Sequence, residues 1–508
     1  EISECLVGSE MCIRDSHYDQ AKQILKVDAT LPSHSEDVLK LFKGKVKLLS
    51  FECDHPFTES NPYILIEGSN SPIHISYTVQ ISTPGKHGFY GTVSEQLTIF
   101  AGEQVFLFPT SLMLSGNFTP STTIKSVEVV YDFPAYTSCI VPFKHTETSS
   151  LCQSPRWCDV YELLKSAYTF GNLQALCMPS ERNSLHIHLD AQLDLIDAPI
   201  VQNIESLFQY YVDLFNMPQH TLSLILLAST PEPILGGCGR HVICSSFNPY
   251  EVRDWQLLAH RIFHSFMDTA LPLSDFHMPP NLWLTEGLAT YYENVALNVL
   301  SDNLKGELGI HVDKEFNRLY TRYLYAKLKD STHFAFPPMA EKYIRSAGKL
   351  EFLHYTHAPL IVKYIEDTFA IPPQQPHRML RTLLNLGSHE PFSMQKFFTL
   401  ILGPQVDAFA QNFLFEDGLL PLWYLSDGSF FTPEELIDDL NYFEYLLYSW
   451  FVLEDPTYKM AELSLLHLES CLTPSEPNHL SFAHPSIEKQ VKKYSVPLYQ
   501  ILYSQAQK

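Results

Sequence analysis

The 508-residue chain has no apolar run approaching the length a membrane-crossing helix needs, about 18 residues or more. Basic charge is scarce: 34 Lys and Arg stand against 57 Asp and Glu, a formal net charge of −23. That balance argues against a nucleic-acid binder, which needs a basic face, and disfavours docking on anionic lipid. A CxxC…CxxC zinc frame is missing, and the cysteines fall at irregular spacings. Cys152 and Cys158, or Cys238 and Cys244, are near enough in sequence to pair if the protein is exported, and the spacing does not decide it. No internal repeat or low-complexity tract stands out. A lone sequon, Asn117-Phe118-Thr119, is a pattern that chance often produces.

What is present is a globular composition, 45% hydrophobic and 13% aromatic, in a chain long enough for two or three domains with their own cores. The opening run "CLVGSEMCIRD" resembles a translated sequencing adapter, so residues 1–16 are read as non-biological and set aside. The expectation is then that the natural N-terminus is missing, which leaves the compartment, cytoplasmic or exported, open.

From 44 to 145 the stretches "KVKLLSFEC", "YILIEG", "IHISYTVQIS", "EQVFLF" and "SVEVVYDF" are short β-branched or aromatic runs broken by turn residues. They predict an antiparallel β-domain. "DVYELLKSAYTFGNL" (159–173) reads as a short helix and turn. "SLHIHLDAQL" (184–193) and "HTLSLILLAST" (220–230) read as strands, and "APIVQNIESLFQYYVDLF" (198–215) has helical spacing. After about 252 helical periodicity dominates. Thr432, Pro433 and Glu434 form a helix start: cap, first-turn proline and acidic residue. The fold expected is α+β and multidomain: a β-domain over 17–180, an α/β plus helical domain over 181–425, and a helical C-terminal region over 426–508.

The chemistry concentrates in "DWQLLAHRIFHSFMD" (254–268). His260 and His264 lie one helical turn apart on one face, the spacing that lets two imidazole nitrogens reach a single metal ion. "LWLTEGLATYYENVAL" (282–297) offers Glu286 as a third ligand. H-x-x-x-H followed by W-x-x-E-G-x-x-x-Y-Y is far more specific than two histidines alone.

This segment resembles the catalytic domain of the glycyl aminopeptidase family of gluzincin metallopeptidases, peptidase family 61. "PILGGCGRHVICSS" (233–246) resembles the family's G-G-x-E-H-x-x-S edge strand. "LEFLHYTHAPLIVKYIED" (350–367) resembles its tyrosine-bearing helix, and "KFFTLILG … FAQNFLFEDGLLPLW" (396–423) its closing segment. The likeness spans roughly 20–425 and implies a gluzincin, thermolysin-like catalytic domain behind an N-terminal β-domain. It implies zinc held by His260, His264 and Glu286, Tyr355 as the oxyanion donor, and Gly237, Cys238 and Gly239 on the substrate-facing edge. No PDZ domain of the kind that often follows in the family is legible in the last 80 residues.

The departures fall where the chemistry is. The family's general base would be at 261, and this chain has Arg261; its edge-strand glutamate would be at 239, and this chain has Gly239. His357 and Ala358 replace a lysine and a glycine. A guanidinium has no acceptor and keeps its proton, so it cannot take one from bound water. Losing a general base forfeits about 10²–10⁴-fold in rate. A guanidinium aimed at the metal would also cost roughly 4 kcal/mol per unit charge at about 4 Å. No single-base change turns a glutamate codon into an arginine codon.

Three readings follow: a catalytically impaired pseudopeptidase whose cleft binds a peptide or protein ligand, an active zinc aminopeptidase-like enzyme with an unorthodox base, or an interaction protein with a closed cleft. Plainer roles also stand. The two histidines fit as half-buried residues bonded to carbonyls, Glu286 as a partner for Arg261, Tyr291 and Tyr292 as core, and Asp268 as a solvated helix end. Oligomeric state stays open.

Overall fold

A computed structural model of the chain describes residues 10–452, apart from connecting segments of which 82–90 and 111–125 are the longest. The sequon at Asn117 and the chain from 453 to 508 lie outside the described residues. The chain divides into two compact units, Glu1–Ser274 and Asp275–Lys508.

In the first unit the strands run β1 (Glu10–Asp19), β2 (Ile24–Leu31), β3 (His34–Phe42), β4 (Leu48–Cys53), β5 (Phe57–Ser60), β6 (Tyr63–Ser69), β7 (Ile73–Gln80), β8 (Thr92–Val93), β9 (Leu97–Ala101) and β10 (Phe108–Pro109). They continue β11 (Ser126–Tyr131), β12 (Ser138–Ile140), β13 (Lys144–His145), β14 (Ser149–Gln153), β15 (Ala167–Gly171), β16 (Leu173–Pro179), β17 (Asn183–Asp190), β18 (His220–Ala228) and β19 (Val242–Phe247). Among the described residues these form four sheets, in the orders β13-β14-β11-β1-β2-β7-β4, β10-β3-β6-β5, β12-β15-β9-β8 and β16-β17-β18-β19. Pairing is mostly antiparallel; β1 with β11, β17 with β18 and β18 with β19 are parallel. β1 includes residues 10–16 of the run set aside above and pairs with both β2 and β11.

Strand alternation sets the core. Leu25, Val27, Ala29 and Leu31 of β2, and Ile73, Ile75, Tyr77 and Val79 of β7, all point inward from paired strands. "EQVFLF" is not a full strand. Gln104 accepts the Ala101 N–H at 2.9 Å, which closes a helical turn over Gly102–Val105 and leaves only β10 extended. "AYTFG", expected as a turn, is the buried strand β15, paired with β9.

The helices of this unit are α1 (Trp157–Lys165), α2 (Ala198–Phe215) and α3 (Val252–Ala270). Asp197 caps α2 by accepting the Ile200 N–H at 3.0 Å, and Asn216 ends it in the left-handed region. α3 buries Trp255, Leu258, Ala259, Ile262, Phe263, Phe266 and Met267. That apolar stripe leaves His260 and His264 half-buried on the other flank. Cys152, Cys238 and Cys244 are not disulfide-bonded in this structure.

The second unit is helical: α4 (Leu282–Ala296), α5 (Val312–Lys329), α6 (Ala347–Phe352), a π-helical turn (Leu353–His357), α7 (Ala358–Phe369) and α8 (Pro433–Val452), with shorter helices between. Arg322 on α5 forms a two-pronged ion pair with Asp439 on α8, at 3.0 and 2.6 Å. α8 begins as its sequence predicts. Thr432 Oγ1 accepts the Glu435 N–H at 3.2 Å, and Glu435 accepts the Thr432 N–H at 2.9 Å, a complete capping box. Among the described residues no helix is long and apolar enough to cross a membrane.

Candidate functional site

In the first unit the histidine pair meets as the spacing predicts. His260 Nε2 and His264 Nε2 are 3.1 Å apart, with ring centroids at 4.8 Å and 63° between planes. Two imidazole nitrogens bound tetrahedrally to one zinc ion at 2.0–2.1 Å would stand about 3.3 Å apart, so the pair presents its Nε2 atoms at nearly the bite such an ion needs.

Arg261, whose charge counts most against a metal when aimed at it, is bonded to β19. It is 4% exposed, and its Nη1 donates to the Cys244 carbonyl of β19 at 3.2 Å. Its own carbonyl accepts the Cys238 thiol at 3.5 Å. Burial pushes the guanidinium down from its ordinary value, an effect that its neighbours Cys238, Cys244 and Asp254 partly oppose. Asp268 is likewise 4% exposed and is no solvated helix end.

The Gly237–Cys238–Gly239 turn folds back on β19. Gly237 O accepts the Cys244 N–H at 2.9 Å, and the Gly239 N–H donates to Val242 O at 3.0 Å. Both glycines are pressed on α1. A Cβ at 239 would lie 1.9 Å from Ser166 Oγ and 2.8 Å from a Glu162 carboxylate oxygen. The fully buried Glu162 anchors this turn, accepting the N–H groups of Arg240 and His241 and the Ser166 hydroxyl. Arg240 is held further by Asp159 at 2.9 Å. The turn is therefore fixed from behind, with no space for a side chain at 239.

In the second unit Glu286 lies half-buried within α4, and the next residue, Gly287, meets α7 closely: a Cβ there would come within 2.7 Å of the Ala358 Cβ. That approach brings the π-helical turn beside Glu286, and the Tyr355 hydroxyl donates to its carboxylate. Burial holds the phenol well above its ordinary value, and the charges of Glu286, Glu351 and Glu293 raise it further. Tyr292 is fully buried, as expected of a core residue; Tyr291 is half-buried against Phe316.

His357 is 1% exposed, and neither ring nitrogen has a hydrogen-bond partner among the described residues. Burial, with the Lys327 charge adding to it, drives its pKa well below the ordinary histidine value. Lys327 pairs with Asp417. The sequence reading missed three features: the π-helical turn, the acidic surroundings of Tyr355, and the Glu162 anchor. Glu293 was within reach, because it follows Glu286 by two helical turns on one face.

No family model and no curated protein matches the sequence. Among solved structures the chain is similar to an aminopeptidase N family protein from Idiomarina loihiensis, with a TM-score of 0.59 at 13% identity, over 82% of this chain and 77% of that one. At that identity the likeness shows the fold alone: a mixed α+β, aminopeptidase-N-like architecture with N-terminal, mostly antiparallel sheets and a helical C-terminal part.

Proposed function

We propose that the chain is a metallopeptidase-derived protein of the glycyl aminopeptidase, family 61 type that holds zinc but has lost the proton acceptor for hydrolysis. His260, His264 and Glu286 would be the ligands, a two-imidazole, one-carboxylate set of the kind that zinc takes in peptidases. Bound there, zinc would act as a Lewis acid toward a carbonyl and its bound water. The observation carrying the reading is the 3.1 Å approach of the two Nε2 atoms beside an Arg261 whose Nη1 is bonded to the Cys244 carbonyl. The guanidinium keeps its charge but is bonded to the sheet rather than to the histidines, which weakens the charge objection. The objection to catalysis stands, because arginine accepts no proton.

Tyr355 keeps a hydroxyl that can donate to an oxyanion, and it orients Glu286 meanwhile. A peptide or protein bound without turnover is then the natural ligand class. The test is zinc content and peptide hydrolysis in the unaltered chain and in Arg261→Glu, with Arg261→Gln as the packing control. The reading predicts zinc in all three and chelator-sensitive hydrolysis in Arg261→Glu alone, faster by about 10²-fold or more. Equal hydrolysis by the unaltered chain and Arg261→Glu would refute it. Gly239→Glu does not serve as a matching reversion, since its Cβ would meet Ser166 Oγ at 1.9 Å.

A further inference from the structure

The turn that joins β4 to β5 carries a second cluster, unrelated to the histidine helix. Cys53 Sγ, an Asp54 carboxylate oxygen and a His55 ring nitrogen all lie within 4.8 Å of one another. Strand alternation would send residue 54 to the opposite face from 53 and 55. The bend after Cys53 cancels that alternation, and β7 clasps it. The Asp54 N–H donates to His74 O at 3.1 Å, while Asp54 Oδ1 accepts the His74 N–H at 3.0 Å. His55 Nδ1 lies 2.6 Å from Asp54 Oδ1, and the His55 N–H donates to Cys53 Sγ at 3.4 Å. Thr30 Oγ1, 2.9 Å from His74 Nδ1, fixes the outer ring. Cys53 is a free thiol, Cys53 and His55 are half-buried and Asp54 is exposed, so an ion can reach the group from solvent.

We propose that Cys53, Asp54 and His55 form a metal site for a borderline divalent cation of the zinc type, bound by thiolate, carboxylate and imidazole with water in the remaining position. The donor set selects the ion class. One sulfur and one nitrogen exclude calcium- and magnesium-type sites, which take oxygen ligands, and suit zinc or cobalt. The geometry is near what such an ion needs. Zinc bond lengths of 2.0–2.3 Å put tetrahedral donors about 3.3–3.8 Å apart. Cys53 Sγ and Asp54 Oδ1 are already 3.9 Å apart, the Asp54–His55 contact of 2.6 Å must open, and the His55 ring nitrogen lies within 4.8 Å of Sγ. Binding forms the metal–sulfur bond and releases the thiol proton to solvent.

The probe is Co²⁺, titrated into the full chain under reducing conditions and followed by its near-ultraviolet sulfur-to-cobalt charge-transfer absorption. The site predicts a saturable thiolate band that Zn²⁺ displaces. It should vanish in Cys53→Ser, and its affinity should fall by about tenfold or more in His55→Gln and Asp54→Asn. The band should persist in the His260→Ala/His264→Ala chain, whose missing ligands carry no sulfur, so the outcome is independent of the reading proposed for the histidine helix. Absence of a thiolate band in the unaltered chain would overturn the proposal. So would an undiminished band in Cys53→Ser or in His55→Gln; the two lesser substitutions, on the turn itself, serve if Cys53→Ser does not fold.

Discussion

Helix α3 of the first unit and the α4–α7 region of the second have treated the same kind of chemistry in opposite ways. In α3 the two imidazoles still meet, but the residue between their positions, Arg261, is buried and bonded to the β19 backbone. Around Glu286 the polar constellation is intact, with a phenol donating to the carboxylate and two more acids, Glu293 and Glu351, close to it. If the proposed zinc site holds, metal affinity and proton transfer are separable properties of such a scaffold. The two Nε2 atoms stay 3.1 Å apart while the Arg261 guanidinium bonds to the sheet.

The largest effect expected concerns the α3 side. Zinc at about 1,000 times its dissociation constant should stabilise the unaltered chain by about 4 kcal/mol. The His260→Ala/His264→Ala chain should lose this component, and Tm measured with and without zinc checks it. An equal zinc-dependent rise in both chains would break the comparison.

Acid sensitivity comes next, and each unit contributes. His220, 2% exposed beneath α3 with Nε2 3.0 Å from Ser265 Oγ, is pushed down to about 3 by burial, with His241 adding to the effect. His357 is depressed in the second unit by burial and Lys327. Below the ordinary histidine value the unfolded chain takes up protons that the folded chain refuses, so stability is full above about pH 6.5 and falls as pH drops toward the folded values. For His220 the loss at pH 5 is about 2 kcal/mol. Denaturant unfolding at pH 7 and pH 5 should show it, and His220→Gln should reduce the slope.

On the α4 side, Tyr355→Phe removes the phenol that orients Glu286 and should weaken zinc binding by about 10–100-fold, read by calorimetric titration. Unchanged affinity would mean that the phenol is not positioning the ligand.

The smallest effects contrast two glycines. Gly239→Ala meets Ser166 Oγ at 1.9 Å and should destabilise the first unit by about 1–3 kcal/mol. Gly306, in the helix Asp302–Leu308, has nothing within 4 Å of an added Cβ, so Gly306→Ala should be neutral or stabilise by up to about 1 kcal/mol. Urea midpoints of the two variants decide this.

Much of this architecture was legible in residue order because local pattern and tertiary demand agree. The alternation of β2 and β7, the capped start of α2 and the Thr432 capping box each follow from their own few residues. Periodicity likewise placed His260 and His264 together. What stayed hidden depends on partners distant in the chain. The direction taken by Arg261 is set by the Cys244 carbonyl, and the crowding at Gly239 by Glu162 of α1 and by Ser166 just after that helix. The helical turn in "EQVFLF" comes from a side-chain bond that a β-rich composition masks. The π-helical turn bearing Tyr355 has no signature in spacing alone.

The most direct test is peptide hydrolysis by the unaltered, zinc-loaded chain, compared with the same chain stripped by chelator and with the His260→Ala/His264→Ala variant. The account predicts zinc bound through the two histidines and hydrolysis indistinguishable among the three samples. Turnover in the zinc-loaded chain that disappears on chelation and returns with zinc would contradict it.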